Sequence, residues 1–386
     1  VNWRVPLSDI DFGDEEEEAV QQVVKSRWLT MGAVTREFEE EFAAYAGARH
    51  AIAVTNATAA LHLACVAAGL GPGDEAVLPS LTFVATANAV RYAGAVPVFA
   101  DIQGENDLNI SPQAIEACIT PRTRAILVVH YGGYPCDMPA ILALAERYGL
   151  VVIEDAAHAV GSELDGRMPG TWGKIGCHSF FSNKNMTTGE GGMLVTDDDA
   201  TAERLRLLRS HGMTSLTWDR HKGHAWSYDV VDLGYNYRID EIRSALGRVQ
   251  LRKLPHNNQL RREKTALYRR LLAEHCPQVV VPFQGHAGVS ACHLLPILLP
   301  EGAPREPFME AMKTQGIQTS IHYPPIHRFS AYRDLNPPGA ANLPQTESAA
   351  AREVTLPLYP ALADDDIRFV AEAVQTSLAG VARASA

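Results

Sequence analysis

Lys184 sits in the run Ser179-Phe-Phe-Ser-Asn-Lys184-Asn-Met-Thr-Thr-Gly-Glu-Gly-Gly192, and upstream of it lies Val151-Val-Ile-Glu-Asp155-Ala-Ala-His158-Ala. A primary amine on a polar turn closed by glycines can condense with an aldehyde. A carboxylate just after a buried strand can hold a pyridine nitrogen protonated, because it favours the charged form. A Schiff-base lysine paired with a pyridinium partner is the chemistry of pyridoxal 5'-phosphate (PLP). Once displaced, the same amine can move a proton between the substrate's Cα and C4' of the cofactor.

Such a cofactor needs a phosphate anchor. Thr55-Asn56-Ala57-Thr58-Ala-Ala-Leu61 follows an apolar run and opens a helix, so its N–H groups and the Thr58 hydroxyl can face an anion. Asn56 or Thr58 can equally serve as a plain N-cap. Ser179 is a second candidate phosphate ligand. Phe83 can stack on a pyridine ring or sit in the core. His158 can donate to the ring's phenolic oxygen or cap the next helix. Gly69-Leu-Gly-Pro-Gly-Asp74 follows a helix and precedes a strand, the reverse of a dinucleotide fingerprint, and reads as a turn. His293, His322 and His327 have no metal-ligand spacing with the cysteines, so no metal is expected. Asp197–Asp199 and Asp364–Asp366 head predicted helices and read as solvated starts.

The elements that position these residues alternate. Helices are predicted at Asp14–Lys25 and Arg36–Tyr45. Strands at His50–Val54, Glu75–Pro79, Val96–Ala100, Ala125–His130 and Leu150–Glu154 then interleave with helices at Thr58–Ala68, Phe83–Tyr92, Pro112–Cys118 and Met138–Tyr148. That rhythm, with nearly all-apolar strands, predicts a mostly parallel sheet covered by helices on both faces. Strands at Gly176–Phe181 and Gly192–Val195 flank the lysine turn. Helices follow at Ala200–Ser210 and Arg238–His275, the latter broken at Leu254-Pro255. The rest is a smaller α+β unit: strands at Val279–Val281, His293–Leu299 and Ile317–His322, and helices at Pro307–Gln315 and Asp364–Leu378. The fold class is α/β, with a PLP-binding domain over 1–254 and a small C-terminal domain over 255–386. Pro337–Ala341 reads as a short loop.

The 386-residue chain is 46% hydrophobic and 20% charged, enough for a sizeable core. Its net charge of -11 argues against a nucleic-acid surface and against an anionic membrane, without excluding a phosphorylated substrate. Cys65, Cys118, Cys136, Cys177, Cys276 and Cys292 form no CxxC pair and read as small buried hydrophobes in a reducing compartment. No signal-peptide core is visible, and no stretch reaches the roughly 18 apolar residues of a membrane span. A soluble cytoplasmic protein is expected.

In order along the chain come Trp28-Leu-Thr30-Met-Gly32, Asn56-Ala-Thr58-Ala-Ala-Leu61, Pro79-Ser-Leu-Thr-Phe83-Val-Ala-Thr-Ala-Asn88, Ile153-Glu-Asp155-Ala-Ala-His158-Ala, the lysine block, Gly234-Tyr-Asn236-Tyr-Arg238, His322-Tyr323-Pro-Pro-Ile-His327 and Leu356-Pro-Leu-Tyr-Pro360. As an ordered set they resemble the StrS/DegT-type sugar aminotransferases, PLP enzymes of the aspartate aminotransferase fold (fold type I). The resemblance implies that Lys184 is the Schiff-base lysine, Asp155 the pyridinium partner, and His158 a neighbour of the ring oxygen, where many relatives have glutamine. It implies that Phe83 stacks on the ring and that Thr58, the Ala57 backbone and Ser179 hold the phosphate. Asn236 would reach the phosphate in the neighbouring subunit, making the active unit a homodimer. Trp28, Thr30, Tyr323 and His327 lie in segments that border the sugar pocket in relatives.

The chain departs from the family pattern where Asn56-Ala57 replaces a common Ser-Gly and His178 a common phenylalanine. Related dehydratases carry histidine in place of Lys184, so this chain is expected to transaminate. The implied reaction takes an amino group from L-glutamate, releasing 2-oxoglutarate and leaving the cofactor as pyridoxamine 5'-phosphate, and passes it to a nucleotide-linked keto sugar. Thr187-Thr-Gly-Glu-Gly-Gly192 resembles relatives that aminate C4, which suggests a 4-keto-6-deoxyhexose on the way to a glycan or a glycosylated natural product. The alternatives are a 3-keto sugar or a keto-cyclitol of aminoglycoside assembly. A regulator that kept the fold and lost the chemistry would lack the lysine or the aspartate, and both are present.

Overall fold

The computed structural model describes residues 3–214, 227–335 and 342–385. Helices α1 (Asp14–Ser26) and α2 (Ala33–Ala46) precede the first strand, β1 (His50–Val54). The alternation then follows as the sequence predicts: α3 (Ala57–Ala67), β2 (Glu75–Pro79), α4 (Ala85–Tyr92) and β3 (Val96–Ala100). After a small hairpin, β4 (Ile102–Gly104) and β5 (Asp107–Ile110), come α5 (Pro112–Ala117), β6 (Thr123–Val129), α6 (Met138–Tyr148), β7 (Val151–Asp155), β8 (Ile175–Ser179), β9 (Gly192–Thr196) and α7 (Asp199–Arg209). The hairpin was not anticipated; its Gly-Glu-Asn turn is a short signal beside the long apolar strands.

Seven strands form one sheet in the order β1-β9-β8-β7-β6-β2-β3. β9 runs antiparallel to both β1 and β8, and the other adjacent pairs are parallel. Six strands therefore end at one edge of the sheet, and β9 starts there. Carboxyl edges of this kind collect ligand-binding turns. Apolar side chains on the two faces bury the strands, with Ile52, Leu78, Leu127 and Ile153 in one cluster and Val77, Ile126, Val128 and Val152 in the other. Helices cover both faces, as buried parallel strands require.

The expected break at Leu254-Pro255 is absent. One helix runs from Glu241 to His275 through Pro255. Proline costs it a backbone hydrogen bond, and buried Leu254, Asn257 and Asn258 on either side pin the helix to its neighbours. This helix leads out of the large sheet into a second apolar core, built from Val5, Leu267, Tyr268, Ile297, Phe308 and Val370 among others. That core rests on a two-stranded antiparallel sheet of β10 (Leu295–Leu298) and β11 (Glu353–Leu356) and on the helices Arg305–Thr314 and Asp364–Ser385. The strand predicted at Ile317–His322 makes only isolated bridges at Ile317 and Ser320, and Val280 bridges only Leu298. The loop assigned to Pro337–Ala341 lies outside the described residues. The six cysteines are unpaired, five of them buried.

Candidate active site

The carboxyl edge of the sheet opens into a cavity of about 630 Å³. The β1–α3 turn supplies Asn56, Ala57 and Thr58, and the turn after β2 supplies Thr82 and Phe83. β7 ends on Asp155 with His158 just beyond, while β8 ends on Ser179 and leads into the loop that carries Lys184. His322 and Tyr323 close the cavity from the second core's side. Residues distant in sequence meet here because parallel strands share one end.

Asp155 is buried at the tip of β7. The Thr86 hydroxyl donates to its Oδ2 at 2.7 Å and the Ala157 N–H to its Oδ1 at 3.2 Å. Burial pushes its carboxyl up, and the Thr86 and Ala157 hydrogen bonds and the Lys184 charge oppose that shift. Lys184 is half-buried and lines the cavity. Burial lowers the amine from its ordinary 10.5 to about 8, and the Asp155 charge acts in the opposite direction. An amine so poised is neutral often enough to attack an aldehyde near neutral pH.

The lysine loop is held from beneath. Asn185 Nδ2 donates to Asn258 Oδ1 and to the Ala291 carbonyl, both at 2.7 Å, and Thr187 N–H donates to Gln250 Oε1 at 3.3 Å. The Thr187 hydroxyl donates to the Phe180 carbonyl and the Thr188 hydroxyl to the Glu190 carbonyl, so both serve the loop itself. Of Thr187–Gly192 only Glu190 lines the cavity. Gly192 starts β9 beneath the β1–α3 turn, where a Cβ would stand 2.6 Å from the Asn56 carbonyl carbon.

Asn56 is the N-cap of α3, accepting the Ala59 N–H at 2.9 Å. Thr58 is thus not the cap, and it faces the cavity. The amides of Ala57 and Thr58 open the helix and have no intrahelical acceptor, a ready anion site. Phe83 is not a core residue: it is 56% exposed and lies on the turn before α4, its ring 5.9 Å from that of Tyr323. His158 caps no helix, since α7 begins only at Asp199. Its Nε2 lies 3.0 Å from the Tyr323 hydroxyl and its Nδ1 accepts the Gly132 N–H at 3.3 Å.

Trp28, Thr30, Asn236 and His327 do not line this cavity in their own chain. Thr30 bridges Asp240, and Asn236 bridges Ser210. His327 is held between Ser80 Oγ at 2.8 Å and Glu347 Oε1 at 2.5 Å. Sequence reasoning gave no role to Thr86, which fixes Asp155, or to His62 and Tyr237, paired at 3.1 Å in the cavity wall. His62 follows Thr58 by one helical turn, so helix spacing could have found it. Thr86 is an unremarkable threonine until the fold brings Asp155 to it.

A buried carboxylate, a poised lysine and an open helix start suit the pyridinium, aldehyde and phosphate of PLP in turn. Among the described residues no His/Cys/Asp/Glu cluster could hold a metal ion. A second hollow of about 410 Å³, between α2, β1 and α7, contains several arginines. Arg209 there is paired with Glu39 and Arg49 with Asp199, and no lysine lines it, so it offers none of this chemistry.

Comparison with known proteins points the same way. The DegT/DnrJ/EryC1/StrS aminotransferase family matches residues 11–375. The spore coat polysaccharide biosynthesis protein SpsC of Bacillus subtilis (strain 168) is 42% identical over 384 residues, 98% of this chain and 98% of that protein. Helicobacter pylori PseC, an aminotransferase involved in the biosynthesis of pseudoaminic acid, superposes with a TM-score of 0.90 at 30% identity, covering 97% of this chain and 99% of its own. DesI, solved in the presence of its TDP-sugar product, gives a TM-score of 0.88 at 35% identity, covering 100% of this chain and 95% of its own.

Proposed function

As the chain belongs to the DegT/DnrJ/EryC1/StrS aminotransferase family and is a PLP-dependent sugar aminotransferase, we propose that it aminates a nucleotide-linked 4-keto-6-deoxyhexose with L-glutamate as donor. The observation that carries the reading is Lys184 and Asp155 in one cavity beside the open start of α3. DesI's TDP-sugar product supports a nucleotide-linked acceptor. The likeness of Thr187–Gly192 to C4-aminating relatives supports position 4.

PLP, when bound, supplies an electron sink for the negative charge that develops at Cα. Asp155, fixed by Thr86 and Ala157, keeps the pyridine nitrogen protonated so that the sink is effective. Lys184 holds the cofactor at rest. Once freed, its amine would be the group that carries the proton at the substrate's Cα, away from it for the amino donor and back to it for the keto sugar. Thr58, Ser179 and the Ala57 amide, which line the same cavity, would hold the phosphate, and Phe83 would lie against the ring.

The active unit is a homodimer in this reading. Leu233 is 81% exposed, with Tyr228, Val230 and Val231 beside it, an apolar strip leading to Asn236. Burying that strip against a second copy would bring Asn236 toward the neighbour's phosphate. Trp28 and Thr30, absent from their own chain's cavity wall, would reach a sugar only across the same interface. The unpaired cysteines support a reducing, cytoplasmic setting.

Two assays test the substrate. Turnover with a 4-keto nucleotide sugar should exceed turnover with its 3-keto isomer; the reverse order would move amination to C3. Nucleoside diphosphate should inhibit competitively, whereas indifference to it would point to a keto-cyclitol. Lys184→Ala should abolish turnover with every acceptor, and full activity in that variant would refute the mechanism.

A further inference from the structure

His158 and Tyr323 form a hydrogen-bond chain whose direction is fixed at one end. A backbone N–H can only donate, so Nδ1 of His158, which receives the Gly132 N–H at 3.3 Å, must present its lone pair. Burial and the nearby Lys184 charge hold the His158 imidazole well below its ordinary range, so it is neutral. A neutral ring with a bare Nδ1 carries its one proton on Nε2. That proton goes to the Tyr323 oxygen, 3.0 Å away. The Tyr323 oxygen is therefore an acceptor toward His158, and its own proton must find another partner. Tyr323 lines the cavity that holds Asp155 and Lys184. Burial and the Asp155 charge push the phenol upward, so it keeps that proton. The sequence suggested His158 as the donor to the cofactor's ring oxygen, but its one N–H is already engaged.

We propose that the hydroxyl of Tyr323, not the imidazole of His158, is the hydrogen-bond donor this chain offers to a ligand oxygen in the active cavity, with His158 as the positioning residue that fixes its direction. The ligand oxygen belongs either to the cofactor ring or to the sugar at the carbon being aminated; both are electron-rich acceptors beside the reacting centre. The proposal rests on the aminotransferase reading of the cavity.

The test uses full-length, PLP-loaded protein. Loading of the wild type, seen by absorbance before any variant is compared, separates a failure of this proposal from a failure of the site reading. The absorbance of the lysine-bound cofactor is titrated with pH in the wild type, in Tyr323→Phe and in two His158 variants. If the acceptor is the cofactor's ring oxygen, Tyr323→Phe moves the titration midpoint up by about one pH unit. The lost donor had stabilised negative charge on that oxygen, and a shift of one unit corresponds to about 1.4 kcal/mol. If the acceptor is the sugar oxygen, the resting midpoint stays put. In that case kcat/KM for the keto sugar falls about tenfold, clearly more than the rate of the glutamate half-reaction does.

In either case His158→Gln, whose amide can accept from Gly132 and donate to Tyr323, retains the wild-type behaviour better than His158→Leu. A Tyr323→Phe protein unchanged in both readouts would overturn the proposal. So would a midpoint that moves in His158→Leu but not in Tyr323→Phe, because His158 would then be the direct donor.

Discussion

That Asp155 and Lys184 share one cavity was legible in the sequence, because their types are costly to bury and each stands beside a segment that folds in a known way. Their supports were not legible. Thr86 holds Asp155 across 69 positions of chain, a pairing that exists only once β7 and α4 meet. Thr86→Val should leave the fold intact and strip one hydrogen bond from a buried carboxylate, about 1–3 kcal/mol. We expect kcat/KM to fall about tenfold or more and PLP to dissociate faster, both measurable on the purified variant; wild-type values would show that Ala157 alone fixes Asp155. Lys184 also makes a statement about pH. Its amine lies at about 8 in the fold against an ordinary 10.5. Between those values the unfolded chain holds more protons, so the stability of the cofactor-free protein should rise with pH across that window. Below about pH 8 the penalty is constant. Unfolding midpoints of wild type and Lys184→Met should therefore differ most below that point and converge toward pH 10; a constant difference would contradict the burial of the amine.

Elements with a strong period were readable, and those defined by partners were not. The bounds of β1, β2, β3 and α6 match the sequence reading because apolar runs or faces, glycine turns and caps agree there. Pro255 misled it, since a proline inside a helix reads as a stop, yet the packing of Glu241–His275 on α1, α2 and the second core outweighs one missing hydrogen bond. The same helix caps another. Buried Glu241 accepts the N–H groups of Gly32, Val34 and Thr35 at 2.8–2.9 Å, closing the open start of α2. Glu241→Ala orphans those donors and should cost about 2–4 kcal/mol, read as a lower urea midpoint. An unchanged midpoint would mean that water replaces the carboxylate. Because Glu241 also holds the segment after Trp28 and Thr30, the variant should lose sugar affinity before it loses PLP.

At the scale of the molecule, the α/β plan and the carboxyl-edge site were legible from the alternation of elements, while the placement of Trp28, Thr30, Asn236 and His327 was not. Sequence order says which turn a residue occupies, but whether it faces its own cavity depends on how whole segments dock. The exposed strip around Leu233 gives the dimer reading a direct check. Leu233→Glu should shift the protein to a monomer by light scattering and remove most activity; an active monomer would contradict a site completed by Asn236 of a second copy. The central claim, that this cavity moves an amino group onto a keto sugar, is tested most directly in two half-reactions. PLP-loaded enzyme is aminated with L-glutamate, freed of excess donor, and mixed with a nucleotide-linked 4-keto-6-deoxyhexose while the absorbance of the lysine-bound cofactor is followed. The account predicts that the absorbance returns in proportion to sites, with one amino sugar formed per site by mass. Amination by glutamate followed by no return with either 4-keto or 3-keto nucleotide sugars would contradict it.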